Sequence, residues 1–260
     1  MEVIIQPDAA SASLIAARIV ANAIRKKPNT VLALAAGNTP LPLYRELARL
    51  HQDSDLDFSE VATFCLDEYI GVSADHPCSF ANFLSENLLG QVNVKPTNIH
   101  TFDGLAKNIP GQCSLYEQAI KSCGGIDIQI LGIGTDGHIG FNDPSSSLVS
   151  RTRIKTLTDP ARKDVARFFK NINEAPKHCL TMGVGTIMES RLIIILAFGD
   201  SKADAVAKAV EGPITSMAPA SILQMHASTK LFIDEAAAAN LERRNYYKYV
   251  YENKPNWQQY

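Results

Sequence analysis

Apolar positions along the chain follow two rhythms. Short, nearly continuous apolar runs at 3–5, 31–35, 61–66, 126–132, 192–198 and 230–233 predict strands covered on both faces. Between them, residues 10–25, 41–51, 80–89, 114–122 and 202–210 repeat their apolar positions at helical spacing. Strand, helix, strand at this rhythm predicts an α/β fold: a single doubly wound, mostly parallel sheet with helices on both faces, Rossmann-like in architecture. No repeat or Pro/Gly/Ser-rich linker divides the chain, so residues 1–260 read as one domain. The interval 143–181 is polar and charged and predicts an inserted loop-and-helix segment. The tail 241–260 carries five tyrosines and a tryptophan, which suits packing on its own domain or on a neighbour.

Composition narrows the classes. A formal net charge of −2, without a basic stripe, argues against nucleic acid as a partner. Cys65, Cys78, Cys113, Cys123 and Cys179 are odd in number and lack C-x-x-C spacing, as expected of free thiols in a reducing compartment. The start MEVIIQPDAA has no basic n-region, and no apolar run approaches the ~20 residues that span a bilayer. The expectation is a cytoplasmic globular protein with no membrane partner. Its length is enough to bury a core without a disulfide or a metal.

Ligands of open parallel sheets bind outside the carboxyl ends of the strands, and three predicted strands end in turns that carry chemistry. In ALAAGNTPLPLYREL, Gly37 and Asn38 precede Thr39 as a helix cap and Pro40 at the first helical position, which makes an anion site. Neither a Walker loop nor G-x-G-x-x-G is present. In TFCLDEYIGV, Asp67 and Glu68 leave a buried strand, where desolvation raises a carboxylate's value as a base. In GIGTDGHIGFNDPSSS, glycines permit close approach, and Asp136, His138 and Asp143 form an acid–imidazole–acid set suited to proton transfer. The same three could ligate a metal, although no H-x-H or H-E-x-x-H accompanies them, and the serines lack the G-x-S-x-G of a nucleophile elbow. In GDSKADAVAKAVEG, Ser201 can cap a helix beginning at Lys202, whose charge opposes the macrodipole unless an anion lies nearby.

GNTP, LDEYIG, GIGTDGHIGFNDPSSS, SRTRIKTLT, ARFF, CLTMGVGTIM and GDSKADAVAKAVEG, in this order, closely resemble the glucosamine-6-phosphate deaminase (isomerase) family, as far as about residue 235. The related 6-phosphogluconolactonases share the fold and the first glycine turn. The resemblance implies conversion of glucosamine 6-phosphate and water to fructose 6-phosphate and ammonia, without metal or other cofactor. It makes Asp67 the base that moves a proton from C2 to C1, and His138 the catalyst of ring opening, held by Asp136 and Asp143. It puts the phosphate against Gly37, Asn38 and Thr39, with Arg167 and Lys202 as cations.

The chain departs from the family where Asp143 replaces the usual Glu and where Ala36 and Asn38 replace the expected Thr and Gly or Ser. These changes leave room for galactosamine 6-phosphate as substrate. The hexameric, activated branch of the family further implies an effector site for N-acetylglucosamine 6-phosphate at Ser146, Arg153, Lys155 and Thr156. The amine of a neighbour's Met1 and a tyrosine near Tyr246 would complete it.

Overall fold

The computed structural model describes residues 1–258. Seven parallel strands form the central sheet: β1 (Glu2–Gln6), β2 (Val31–Leu34), β3 (Ala62–Cys65), β5 (Ile99–His100), β6 (Ile128–Gly132), β9 (Leu192–Ala197) and β10 (Thr229–Asp234). Their spatial order is β1-β10-β9-β6-β2-β3-β5. The remaining strands, β4 (Asp67–Tyr69), β7 (Arg153–Thr156) and β8 (His178–Thr181), make a small antiparallel sheet in the order β4-β8-β7.

Strand alternation sorts the apolar side chains into two cores. Ile194 and Leu196 of β9, with Leu32 and Leu34 of β2, face α1 (Ala9–Lys26) and α2 (Leu41–Ser54). Ile193, Ile195 and Leu131 face the other way, toward α4 (Ile109–Ser122), α6 (Val184–Met188) and α7 (Ala203–Val210). The doubly wound parallel sheet of the sequence reading is therefore present, and the small sheet adds to it. Among the described residues no helix is long and apolar enough to cross a membrane.

The interval 143–181 differs from its reading as loop and helix. It holds α5 (Asp159–Ala166), and also β7 and β8, which pair with each other and, through β8, with β4. Four-residue strands in a charged context carry too few alternations to be told from loop. Residues 80–89 divide into α3 (Phe80–Leu84) and a π turn (Ser85–Leu89). The tail folds back as α8 (Arg244–Glu252), where the Tyr247 hydroxyl lies 3.0 Å from Glu211, and Lys254 bonds Glu2 at 2.6 Å. Its last two residues, 259 and 260, lie outside the described residues.

Chain direction along the sheet diverges between β6 and β2. From β2 the chain moves outward through β3 to β5, and from β6 it moves the other way through β9 to β10. A crevice opens at such a switch point on the carboxyl side of the strands. The turns following β9, β6, β2 and β3, four adjacent strands, carry Lys202, His138, Gly37 and Asp67 respectively.

Candidate active site

Asp67 begins β4 immediately beyond the end of β3. Its partner across the small sheet is Thr181, whose partner in turn is Arg153, so the three side chains share one face. Asp67 is 8% exposed, and its Oδ1 has no hydrogen-bond partner among the described residues. Burial pushes the Asp67 carboxyl up to about 7; the Thr181 hydroxyl and the Phe141 N–H oppose this, while the negative Glu68 and Asp143 add to it. Gly140, at φ 55°, gives this carboxylate its space. A Cβ there would come 2.9 Å from the Thr181 hydroxyl and 3.0 Å from Asp67 Oδ1.

The loop after β6 turns tightly. Gly137 N–H donates to the Gly134 carbonyl at 3.0 Å, and Gly134 N–H to the His138 carbonyl at 2.9 Å. This turn, rather than an extended segment, brings Asp136 to His138: Oδ1 lies 2.7 Å from ring Nδ1 and accepts from His138 N–H at 3.1 Å. Burial raises the Asp136 carboxyl, but these hydrogen bonds and the imidazole's charge outweigh it and hold the group below its usual range. The imidazole lies directly over Gly134, where a Cβ would meet three ring atoms at 2.1 to 2.5 Å.

One ligand-capable atom each from Asp136, His138 and Asp143 falls within 4.8 Å of the others. The shorter Asp143 therefore does reach the imidazole's surroundings. The cluster could offer three ligands to a metal ion, yet its charge already has protein partners. Asp136 is bonded to His138, and Asp143 Oδ2 lies 3.8 Å from Lys155 Nζ.

Lys202 meets this loop from β9. Its Nζ donates to the Ile133 carbonyl at 2.8 Å, and burial holds its ammonium below the usual lysine value, with Asp136 opposing. Lys202 caps α7 after a 3-10 turn (Asp200–Lys202), so the helix begins one residue later than expected. Gly37, at φ 118°, has open space where its side chain would be. A Cβ at Gly132 would lie 4.0 Å from Thr39 Cβ, which joins this turn to the end of β6. Pro40, not Thr39, is the cap of α2 and makes no side-chain cap bond; the Thr39 hydroxyl is thereby not spent on the helix. Ala36 is half-buried and Asn38 exposed.

Arg167 is not brought to this turn. It is exposed, with its guanidinium over the Phe168 ring at 5.0 Å, and no hydrogen bond or ion pair among the described residues joins it to 36–39 or Lys202.

The expected effector residues are largely together. Lys155 Nζ lies 3.3 Å from the Ser146 hydroxyl, and Arg153 donates to Asn142 at 2.9 Å. Thr156 is exposed at the end of β7. Tyr246 sits on α8 beside Tyr247 and Arg243, with no contact to this group among the described residues.

Sequence reasoning missed Thr181 and Asn142. Asn142 is fully buried and donates to the carbonyls of Ile139 and Met182 at 2.9 and 2.8 Å, which pins the loop to the small sheet. Neither stands out along the chain, because Asn142 meets Met182 forty residues on and Thr181 meets Asp67 more than a hundred residues back.

The family model described as "Glucosamine-6-phosphate isomerases/6-phosphogluconolactonase" matches residues 7–232. A protein of Arthrobacter sp. (strain FB24) named glucosamine-6-phosphate deaminase is 50% identical over 99% of both chains. One of the same name from Mycolicibacterium smegmatis is 48% identical, again over 99% of both. Among solved structures, a monomeric glucosamine-6-phosphate deaminase superposes with a TM-score of 0.88 at 43% identity, covering 92% of this chain and 100% of that one. A 6-phosphogluconolactonase from Trypanosoma cruzi, at 21% identity and a TM-score of 0.74 over 93% and 97% of the two chains, shares the fold. The chain belongs to the glucosamine-6-phosphate deaminase (isomerase) family, within the wider fold it shares with the 6-phosphogluconolactonases.

Proposed function

We propose that the protein is an enzyme of amino-sugar catabolism that converts glucosamine 6-phosphate and water to fructose 6-phosphate and ammonia. The observation that carries this reading is Asp67: a buried carboxylate with a proton affinity near neutral, acted on by Asp143, which itself comes within 4.8 Å of the Asp136–His138 couple. A base of that strength can take the proton from C2 and return it at C1, since it neither holds it too tightly nor too weakly. His138, oriented by Asp136, moves the proton that opens the pyranose ring, and Asp143 is the third member of that set. Lys202 and the turn of Ala36, Gly37, Asn38 and Thr39 take the phosphate, and Arg167 joins them only in a conformation that lifts it off Phe168. Identity near 50% over the full length to proteins named as deaminases supports the amino sugar over a lactone.

The deciding experiment is ammonia release from glucosamine 6-phosphate, run beside galactosamine 6-phosphate and 6-phosphogluconolactone. Ammonia from the glucosamine epimer is the expected result. Preference for the galactosamine epimer would reassign the substrate, and lactone hydrolysis without ammonia would overturn the reading.

The finer proposal concerns regulation in a cytoplasmic hexamer. N-acetylglucosamine 6-phosphate binds at Ser146, Arg153, Lys155 and Thr156, with Tyr246 and a neighbour's Met1 amine nearby. The meeting of Lys155 with both Ser146 and Asp143 supports it, because a phosphate there would compete for the cation that faces a catalytic acid. Light scattering and saturation curves with and without the compound test it. A monomer, the state named for the 43% identical relative, whose kinetics ignore the compound would overturn it.

A further inference from the structure

Asp67 stands on a strand of three residues, paired on one side only, to β8. Alternation sends Asp67 to one face of β4 and Glu68 to the other. Glu68 is 1% exposed. Its Oε1 accepts from the N–H groups of Tyr69 at 2.9 Å and Phe80 at 3.2 Å. Its Oε2 accepts from the Ser79 hydroxyl at 2.7 Å and from Ala81 N–H at 3.0 Å. Ser79 is the cap of α3, so three of the four donors belong to the start of that helix, where a negative group is favoured.

Packing alone does not call for a carboxylate here. An apolar side chain of similar volume would fill the space but leave the N–H groups of Tyr69, Phe80 and Ala81 without an acceptor, so the carboxylate first serves the start of α3. What the carboxylate adds is direction and charge, and both act next door to Asp67. We propose that Glu68 is a positioning residue for Asp67: it locks β4 onto the start of α3, which fixes the catalytic carboxylate in place, and it sets a second negative charge beside it. The proposal rests on the deaminase reading of Asp67.

The charges around Asp67 are few. Asp143 faces it from the loop after β6, Cys65 from the end of β3, Cys179 from β8, Tyr69 from β4 itself and Tyr116 from α4. Burial raises the cysteines and tyrosines, so they are neutral where the enzyme works. Arg153 of β7, in line through Thr181, donates to Asn142 and the Arg151 carbonyl, both neutral, so it keeps its positive charge and acts on Asp143 and Cys179. Burial is the first cause that keeps a proton on Asp67, and the negative Glu68 and Asp143 add to it.

Glu68→Gln preserves the volume and can keep both bonds at Oε1 while removing the charge. Two readouts are combined: the pH profile of kcat/KM for ammonia release, and the titration of Asp67 followed by carbon-13 NMR of labelled aspartate carboxyls, assigned with Asp67→Asn. In Glu68→Gln the Asp67 carboxyl is expected to titrate at lower pH by at least a twofold change in proton affinity. The acid limb moves with it, and kcat falls about tenfold from lost alignment. Glu68→Asp keeps the charge but withdraws it from α3, so kcat falls while the titration stays close to wild type. Wild-type titration with wild-type kcat in Glu68→Gln overturns the proposal. If that variant does not fold, wild-type kcat in Glu68→Asp overturns it instead. Failure of the deaminase reading is seen separately, as a wild-type protein that releases no ammonia while the Asp67 titration still reports on Glu68.

Discussion

The imidazole of His138 occupies the space that any side chain at residue 134 would need, with ring atoms 2.1 to 2.5 Å from where a Cβ would sit. Gly134→Ala must therefore displace the ring from Asp136. A displacement of about 1 Å at a reacting group costs on the order of 100-fold, so kcat is expected to fall by about that factor. Stability changes little, because the ring is partly exposed and can swing outward. A variant with wild-type kcat would show that His138 does not act from this position.

Asp67 couples stability to pH in a definite sense. Its folded value of about 7 lies above the unfolded value of 3.8, so the folded protein keeps a proton that the unfolded chain loses between about pH 4 and 7. Stability contributed by the protonated form is present below pH 4 and lost as pH rises through 7. Asp67→Asn is expected to abolish ammonia release. At pH 8 it should unfold at higher denaturant than wild type, with a gain of up to about 4 kcal/mol that disappears near pH 4. Denaturant melts at the two pH values check it, and equal stabilities at pH 8 would show that the carboxylate is ionised at little cost.

Lys202 points its ammonium at the carboxyl end of β6 and is half-buried by the fold. Lys202→Met keeps most of the packing and removes the charge. A charge-assisted bond to phosphate is worth about 1.5 to 3 kcal/mol, so KM for glucosamine 6-phosphate should rise between about 10- and 150-fold, with a smaller change in kcat. Inorganic phosphate should also inhibit the variant less than wild type. An unchanged KM would remove Lys202 from the binding set.

Asp143 already lies within 4.8 Å of the Asp136 and His138 ligand atoms, so an extra methylene is not needed for reach. Asp143→Glu is expected to give no gain in kcat, and Asp143→Asn to lower it by about 100-fold or more, in the range of a lost acid–base group. A tenfold gain in Asp143→Glu would show that the shorter acid limits ring opening in this chain. Ammonia release by the wild type is expected to survive EDTA, since Lys155 and His138 already partner the carboxylates.

The distribution of these roles shows which level of description each belongs to. Periodicity along the chain determined the parallel sheet and its two helical layers, because burial on both faces leaves continuous apolar runs such as 126–132 and 192–198. Local chemistry picked out Asp67, Asp136, His138, Asp143 and Lys202, because each stands at a strand end beside glycine or polar turn residues. Neither signal could place Thr181 opposite Asp67, or stack the His138 ring on Gly134. Antiparallel pairing of β4 with β8 joins positions more than a hundred residues apart, and three- and four-residue strands leave no periodic trace. Nor could a list of cations tell Lys202, which is turned inward, from Arg167, which lies out over Phe168. Those distinctions are made by packing, which decides where each side chain finds space and which buried carboxylates find donors.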